Sequence, residues 1–229
     1  MAVSFFLTSF ILSIMALSVS LNFRVAKFLN LSLAGIFASG AYMAYFSGNP
    51  AIPVFSGFLL GYLLAFYILR ICRSVIEATI ASLGLGLLIE RVLEIVHRSS
   101  YYYIVNSDLS TMIIPLGLAM FLGLLSIYIS PLGLRLKYVE SDVELAEMYG
   151  VDTERYITLT VAATSSVVML SGYFYAGALA IGPAIGFGYL ISGIIVSAIA
   201  AQLSFRGVWH YSAVFVLSML MTRVLEVLV

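Results

Sequence analysis

The chain has 229 residues, of which 62% are hydrophobic and 10% are charged, and its formal net charge is zero. Soluble domains carry charge at about a quarter of their positions, so this composition excludes an ordinary soluble domain and is typical of a chain that lies in lipid. The lack of net positive charge gives no reason to expect nucleic acid as a partner.

Eight apolar segments are candidates for membrane-spanning helices, since a span needs about 20 apolar residues. They are 2–21, 32–47, 51–69, 77–96, 111–129, 157–177, 188–204 and 208–227. No basic residue precedes the apolar stretch of the first segment, so we interpret it as a span rather than a signal peptide. The second and seventh are short and rich in glycine, which leaves open whether either is broken or re-entrant. The sequence predicts an all-α, polytopic transmembrane bundle of about eight helices that forms a single domain over residues 1–229.

Basic residues in the short connections predict the orientation of the chain, because Lys and Arg are retained on the cytoplasmic side. In an eight-span topology almost all of them fall on one side, which is then cytoplasmic, with both termini outside. These residues are Arg24, Lys27, Arg70, Arg73, Arg135, Lys137, Arg155 and Arg206. The connections of the opposite side hold Arg98 alone.

Charged residues are concentrated in the connection between the fifth and sixth spans. Ser141 and Glu144 have the spacing of a capping box, which predicts a short helix over 142–149. Gly150 follows it, at a position where a left-handed residue often ends a helix. A helix of two turns is not stable alone in water, so something must hold it. From the residues alone, it either lies on lipid headgroups or docks to a cytoplasmic partner.

Three stretches resemble the permeases of branched-chain amino acid ABC transporters. The first is Val143 to Thr158, VELAEMYGVDTERYIT, most of which lies in a predicted cytoplasmic coupling segment over 138–156. The second combines ALSVSLN at 16–22, FLNL at 28–31 and GAY at 40–42, and the third is IASLGL at 80–85. The chain departs from the family where Ser-Leu-Ala replaces the usual Gly-His-Gly after Asn-Leu, at 32–34. This departure bears on the substrate more than on the scaffold.

The resemblance implies a type II ABC importer permease-like fold. It further implies the membrane-spanning subunit of an ATP-driven importer for branched-chain or other hydrophobic amino acids, in the plasma membrane of a prokaryote. The implied partners are a second permease subunit, identical or homologous, two ATP-binding subunits and an external substrate-binding protein. The residues expected to couple to the ATPase are Glu144, Ala146, Glu147, Met148, Gly150, Asp152 and Arg155.

The chain contains no Gly-x-x-x-x-Gly-Lys-Ser/Thr motif, so it is not expected to hold ATP phosphates in a P-loop. We therefore expect no cofactor on this chain and no enzymatic activity of its own, with ATP and Mg bound by the partner ATPases. His97 and His210 have no companions at ligand spacing, so no metal site is expected.

Asn22, Asn30 and Ser32 lie around the predicted break between the first two spans. Transporters often bind substrate where unwound backbone meets polar side chains, so these three are candidates for the substrate pathway. A turn capped by asparagines explains them equally well.

Other functions stay open at this point. The short second and seventh segments would also suit a stand-alone secondary transporter or a channel. An ABC permease for urea, amides or sugars would share the scaffold. A membrane enzyme is disfavoured, because no nucleophile–base pair or metal cluster stands out in the sequence.

Overall fold

A computed structural model of the chain describes residues 2–97, 111–177, 180–203, 205 and 207–228. These residues form ten helices: α1 (Ala2–Ala26), α2 (Leu33–Phe46), α3 (Ala51–Ile71), α4 (Val75–His97), α5 (Ile113–Ile129), α6 (Pro131–Ser141), α7 (Val143–Met148), α8 (Thr153–Tyr175), α9 (Ile185–Gln202) and α10 (Val208–Leu228). None of the described residues lies in a strand, and the predicted all-α class is confirmed. All eight predicted spans are helices, and α6 and α7 are the two additional ones.

Four of the described helices, α1, α3, α8 and α9, are by themselves long and apolar enough to cross a membrane. A fifth span results if α5 and α6 count together, although the chain bends by 89° between them. The seventh predicted span is one continuous helix of 18 residues, α9. The second is short, as predicted: α2 has 14 residues, or about 21 Å at 1.5 Å per residue, against a hydrocarbon core of about 30 Å.

The short helix α2 lies inside the bundle, where its most extensive contacts are with α8. Two glycines let the backbones of these helices touch. A Cβ atom on Gly40 would lie 1.9 Å from the carbonyl oxygen of Met169, and one on Gly172 would lie 2.0 Å from that of Phe37. Any side chain at either position would push the two helices apart. Protein rather than lipid therefore surrounds most of α2.

Between α1 and α2 the backbone is not helical, and α4 supplies its hydrogen-bond partners. Asn22, which was expected beside this break, lies within α1. The Oγ of Ser82 accepts from the Leu31 amide at 3.0 Å and lies 3.1 Å from the carbonyl oxygen of Leu29. The Leu29 amide donates to Thr79 at 3.3 Å. Buried backbone outside a helix needs such partners, because its amides and carbonyls have no helical neighbours to bond. Two of the stretches that carry the family resemblance, 28–31 and 80–85, thus meet here.

The ends of α1 and α5 and the start of α10 meet at one end of the bundle. There the hydroxyl groups of Tyr128 and Tyr211 are 3.0 Å apart. The chain turns at Ser130, α6 runs across this end, and α7 follows it. Val139 and Ala146 are fully buried in the same apolar cluster as Tyr128 and Tyr211. The segment between α5 and α8 is therefore packed onto the helix ends and is not an open loop.

Candidate functional site

The short helix of the coupling segment is α7, whose first cap differs from the predicted one. Asp142, not Ser141, is the N-cap, and its carboxylate accepts from the amides of Glu144 at 2.9 Å and Leu145 at 3.3 Å. Ser141 belongs to the last turn of α6, where its hydroxyl donates to the carbonyl of Tyr138 at 2.9 Å. The predicted capping box was wrong because Ser141 is the last residue of α6, a helix that the sequence analysis did not predict.

The other end of α7 closes as the sequence predicts. Gly150 has a φ of +76°, which is the left-handed region. The amide of Gly150 donates to the carbonyl of Glu147 at 2.9 Å, and that of Val151 donates to Ala146 at 3.0 Å. This pair of hydrogen bonds is a Schellman motif, which pairs carbonyls that a helix end leaves open. Both ends of this helix of six residues are thus fixed.

The side chains of α7 and of the residue that follows it divide into an inner and an outer set. Ala146 is fully buried. Met148 is 85% exposed, Tyr149 68% and Leu145 43%. The ring of Tyr149 also stacks on Tyr138 of α6, with centroids 5.5 Å apart. An anchored helix therefore presents apolar side chains away from the rest of the chain.

The remaining residues predicted to couple form a polar edge around α7. Glu147 accepts a hydrogen bond from the hydroxyl of Thr153 at 2.6 Å, which ties α7 to the first turn of α8. Asp152 is the N-cap of α8 and forms an ion pair with Arg155 at 2.7 Å. That pair is largely exposed, so its value to stability is small. Glu144 is exposed in the first turn of α7.

The connection after α1 also reaches the coupling segment. Lys27 donates from its ammonium to the carbonyl oxygen of Glu140 at 2.5 Å. Burial lowers the pKa of the Lys27 ammonium below its ordinary value; the charge of Glu140 opposes this shift, and that of Arg24 adds to it. The desolvation of this cation is thus only partly offset by its neighbours.

The three residues predicted for the substrate pathway are fully buried, but they form two separate pairs. Asn22 of α1 donates to the hydroxyl oxygen of Thr164 on α8 at 3.0 Å. The side-chain oxygen of Asn30 accepts a hydrogen bond from the hydroxyl of Ser32 at 2.6 Å. The side-chain nitrogen of Asn30 has no hydrogen-bond partner among the described residues. Ser32 occupies the N-cap position of α2 without a side-chain cap.

Of these two pairs, the one formed by Asn22 and Thr164 adjoins open space. A cleft of about 480 Å³ lies between α1, α5, α6 and α8, and Thr164 lines it. Its walls are almost wholly apolar, and the polar side chains come from Tyr128, Tyr156, Thr160 and Thr164. Such a cleft can accommodate an apolar group beside a few hydrogen-bonding positions.

Several residues at these places were missed in the sequence analysis. Thr79 and Ser82 serve the unwound backbone, Thr164 pairs with Asn22, and Tyr128 and Tyr211 both reach Glu140. The available signal was a polar side chain inside an apolar helix. That signal marks each residue but does not identify its partner, which lies on another helix.

Among the described residues, no three His, Cys, Asp or Glu side chains are grouped so as to hold a metal ion.

Four helices able to cross a membrane, and a capped helix folded over one end of the bundle, define a multi-pass helical membrane protein. Over residues 1–227 the chain matches the family described as the permease component of the branched-chain amino acid transport system, and it belongs to that family. The family predicted from three short stretches is confirmed. Comparisons with curated proteins and with solved structures give no match.

Proposed function

We propose that the chain is the membrane-spanning permease subunit of an ATP-driven importer and that α7 docks to an ATP-binding subunit. The observation that carries this proposal is the helix α7 itself. It is capped at both ends by Asp142 and Gly150, and it holds Met148 85% exposed. An apolar side chain that a rigid segment holds away from the fold is suited to a pocket on a partner.

In this proposal the energy for transport comes from ATP bound by other subunits, because no P-loop motif occurs in this sequence. Two ATP-binding subunits that bind ATP and Mg, a second permease subunit and an external binding protein complete the proposed importer. Its location is the plasma membrane of a prokaryote, with the coupling segment, 138–156, on the cytoplasmic side. The chain itself acts as a conduit and not as an enzyme.

The proposed cargo is a branched-chain or other hydrophobic amino acid. Family membership supports this class, and so does the apolar lining of the cleft beside Thr164. We place Asn22 and Thr164 on the substrate pathway. Asn30 and Ser32 have the more structural role of holding the break before α2. Competition of labelled leucine uptake by urea, amides and sugars would test the class of cargo, and full competition by any of these would contradict it.

The docking surface is tested by co-purification with the ATP-binding subunits encoded beside this chain. Met148→Ala should reduce recovery of the ATPases, since it removes a side chain that is 85% exposed on α7. The matched control is Met112→Ala. Met112 is 53% exposed and lies at the start of α5, away from the end that leads into α6 and α7. Equal recovery of the ATPases with both variants would contradict docking through α7.

The side of the membrane is tested with single cysteines in a Cys72→Ser background. Arg135→Cys on α6 should react with an impermeant thiol reagent only after the membrane is opened. Gly48→Cys, in the exposed connection between α2 and α3, should react from outside intact cells. A Cβ at Gly48 meets nothing within 4 Å, so this substitution is sterically free. The reverse labelling pattern would invert the proposed orientation.

A stand-alone secondary transporter is the second candidate, because the break between α1 and α2 is the kind of unwound segment such transporters use. The specific observation in its favour is the buried side-chain nitrogen of Asn30, which has no hydrogen-bond partner among the described residues. Uptake into vesicles that contain the chain alone, driven by an ion gradient, would support this second candidate against the importer.

A further inference from the structure

Glu140, in the last turn of α6, connects α6 to three other parts of the bundle. One oxygen of its carboxylate accepts hydrogen bonds from the hydroxyl groups of Tyr128 on α5 and Tyr211 on α10. Its carbonyl oxygen accepts from the ammonium of Lys27, in the connection between α1 and α2. A single residue thus joins the coupling segment to α5, to α10 and to the connection after α1.

The hydrogen bonds between Glu140 and the two tyrosines lie in a buried part of the protein. Tyr128 is 2% exposed and Tyr211 1%, and their rings lie 5.1 Å apart. Hydrogen bonds to an ionised carboxylate are about twice as strong as neutral ones, and burial strengthens them further. Lys27 is near enough to Glu140 to interact with it electrostatically, and Arg24 is near enough to interact with Lys27 and Tyr128. Two basic side chains thus lie close to this group of contacts.

Little separates Glu140 from the docking helix. Asp142, two residues further on, caps α7, and its amide donates to the carbonyl of Tyr138 at 3.0 Å. Val139, just before Glu140, is fully buried. A displacement of α7 therefore reaches Glu140 through a hydrogen-bonded corner and not through a flexible linker.

The helix that contains Tyr211, α10, is hydrogen-bonded to α1. His210, the neighbouring residue on α10, lies 2.8 Å from the hydroxyl of Ser20 on α1. Further along the same helix pair, Ser13 and Ser218 are in hydrogen-bond contact. A force on Tyr211 thus acts on α10 and α1 together.

We propose that Glu140 is a positioning residue for transport, which passes displacement of α7 to α10 and α1 through Tyr211, Tyr128 and Lys27. This inference rests on the proposed function, in which an ATPase moves α7. Rigid-body movement of packed elements is a common means of switching between two states, and it requires a stiff connection of this kind. Tyr128 and Tyr211 are the two donors that give the connection its stiffness.

The test uses the complete importer, with its ATP-binding subunits, second permease and binding protein, reconstituted in vesicles. The variants are Tyr211→Phe, Tyr128→Phe and both together. The matched control is Tyr173→Phe on α8. It removes the hydroxyl of a buried tyrosine, which donates to the carbonyl of Ser47 at 3.0 Å. Both ATP hydrolysis and uptake of labelled leucine are measured, so that the amount transported per ATP is obtained.

We expect the double variant to hydrolyse ATP within about twofold of wild type while uptake falls about tenfold, as the loss of charge-assisted hydrogen bonds would produce. Tyr211→Phe alone should show a smaller fall in transport per ATP. If the double variant does not fold, this single variant is used for the test. Transport per ATP should be unchanged in Tyr173→Phe. A merely structural role would lower hydrolysis and uptake in proportion, and that result would overturn the inference.

Failure of the inference is distinct from failure of the proposed function. If wild type transports with its ATPases and the double variant keeps the wild-type ratio, the role of Glu140 is refuted and the importer stands. If wild type with its ATPases shows no ATP-dependent uptake, both the importer and the role of Glu140 are refuted.

Discussion

The ammonium of Lys27 lies 2.5 Å from the carbonyl oxygen of Glu140, although 113 residues separate the two along the chain. Lys27 also has a φ of +61°, and it is the one non-glycine residue with a positive φ among the described residues. A side chain in this region costs about 1–2 kcal/mol. The contact with Glu140 accordingly coincides with a strained backbone at the end of α1.

Replacing Lys27 separates the contribution of its backbone from that of its ammonium. Lys27→Met and Lys27→Gly both remove the hydrogen bond to Glu140, but only glycine relieves the strain. We expect Lys27→Gly to be more stable than Lys27→Met by about 1 kcal/mol. Thermal unfolding of the purified protein in detergent would measure the difference, and equal stability of the two variants would show that the left-handed geometry costs nothing here.

The lowered pKa of Lys27 predicts a pH dependence with a definite sign. Between the lowered pKa and the ordinary value of 10.5, the unfolded chain binds more protons than the folded one. Stability should therefore rise with pH across that window, and the full cost of burying the cation should be present below it. The chain has two lysines, Lys27 and Lys137. An NMR titration after isotopic methylation, with Lys27→Met to assign the signals, should show Lys27 titrating below 10.5.

Gly150 predicts a change that affects coupling and leaves insertion intact. A Cβ there meets nothing within 4 Å, so the cost of Gly150→Val arises from its φ of +76° alone. That cost is about 1–2 kcal/mol, and it should break the two hydrogen bonds that end α7. We expect normal membrane yield and a fall in transport of about tenfold, since about 1.4 kcal/mol corresponds to that factor.

Gly150→Asn is the control for this prediction, because asparagine tolerates the left-handed region better than other side chains. It should retain most of the transport activity. Normal transport by Gly150→Val, with full recovery of the ATPases, would show that the end of α7 does not transmit the movement.

Thr164→Val tests the buried pair that adjoins the cleft. The substitution keeps the shape of the side chain and removes the hydroxyl to which Asn22 donates at 3.0 Å. A buried amide without its partner costs about 1–3 kcal/mol, so we expect a lower unfolding temperature and a raised KM for uptake. The control is Ser171→Ala on the same helix, whose buried hydroxyl donates to the carbonyl of Val168 at 2.7 Å. An unchanged KM with Thr164→Val would remove this pair from the substrate pathway.

The sequence by itself determined the class and most of the helices. Eight apolar segments became helices because a chain in lipid has to satisfy its own backbone, and a helix does so locally. The end of α7 was predictable for a related reason. A left-handed residue is a local requirement, and Gly150 meets it without reference to any other part of the chain. The family was also within reach, since three short stretches sufficed and the match covers 1–227.

Tertiary structure decided which residues act together. Ser141 had the spacing of a cap, yet it remained in α6, and Asp142 became the N-cap of α7 because α6 extends over the helix ends and buries Val139. The partner of Asn22 is 142 residues away, on α8. The hydrogen bonds to Glu140 bring together residues from α5, α6 and α10 and from the connection after α1. Periodicity and spacing report on one helix at a time, whereas these contacts depend on how the helices pack, which the bundle as a whole determines.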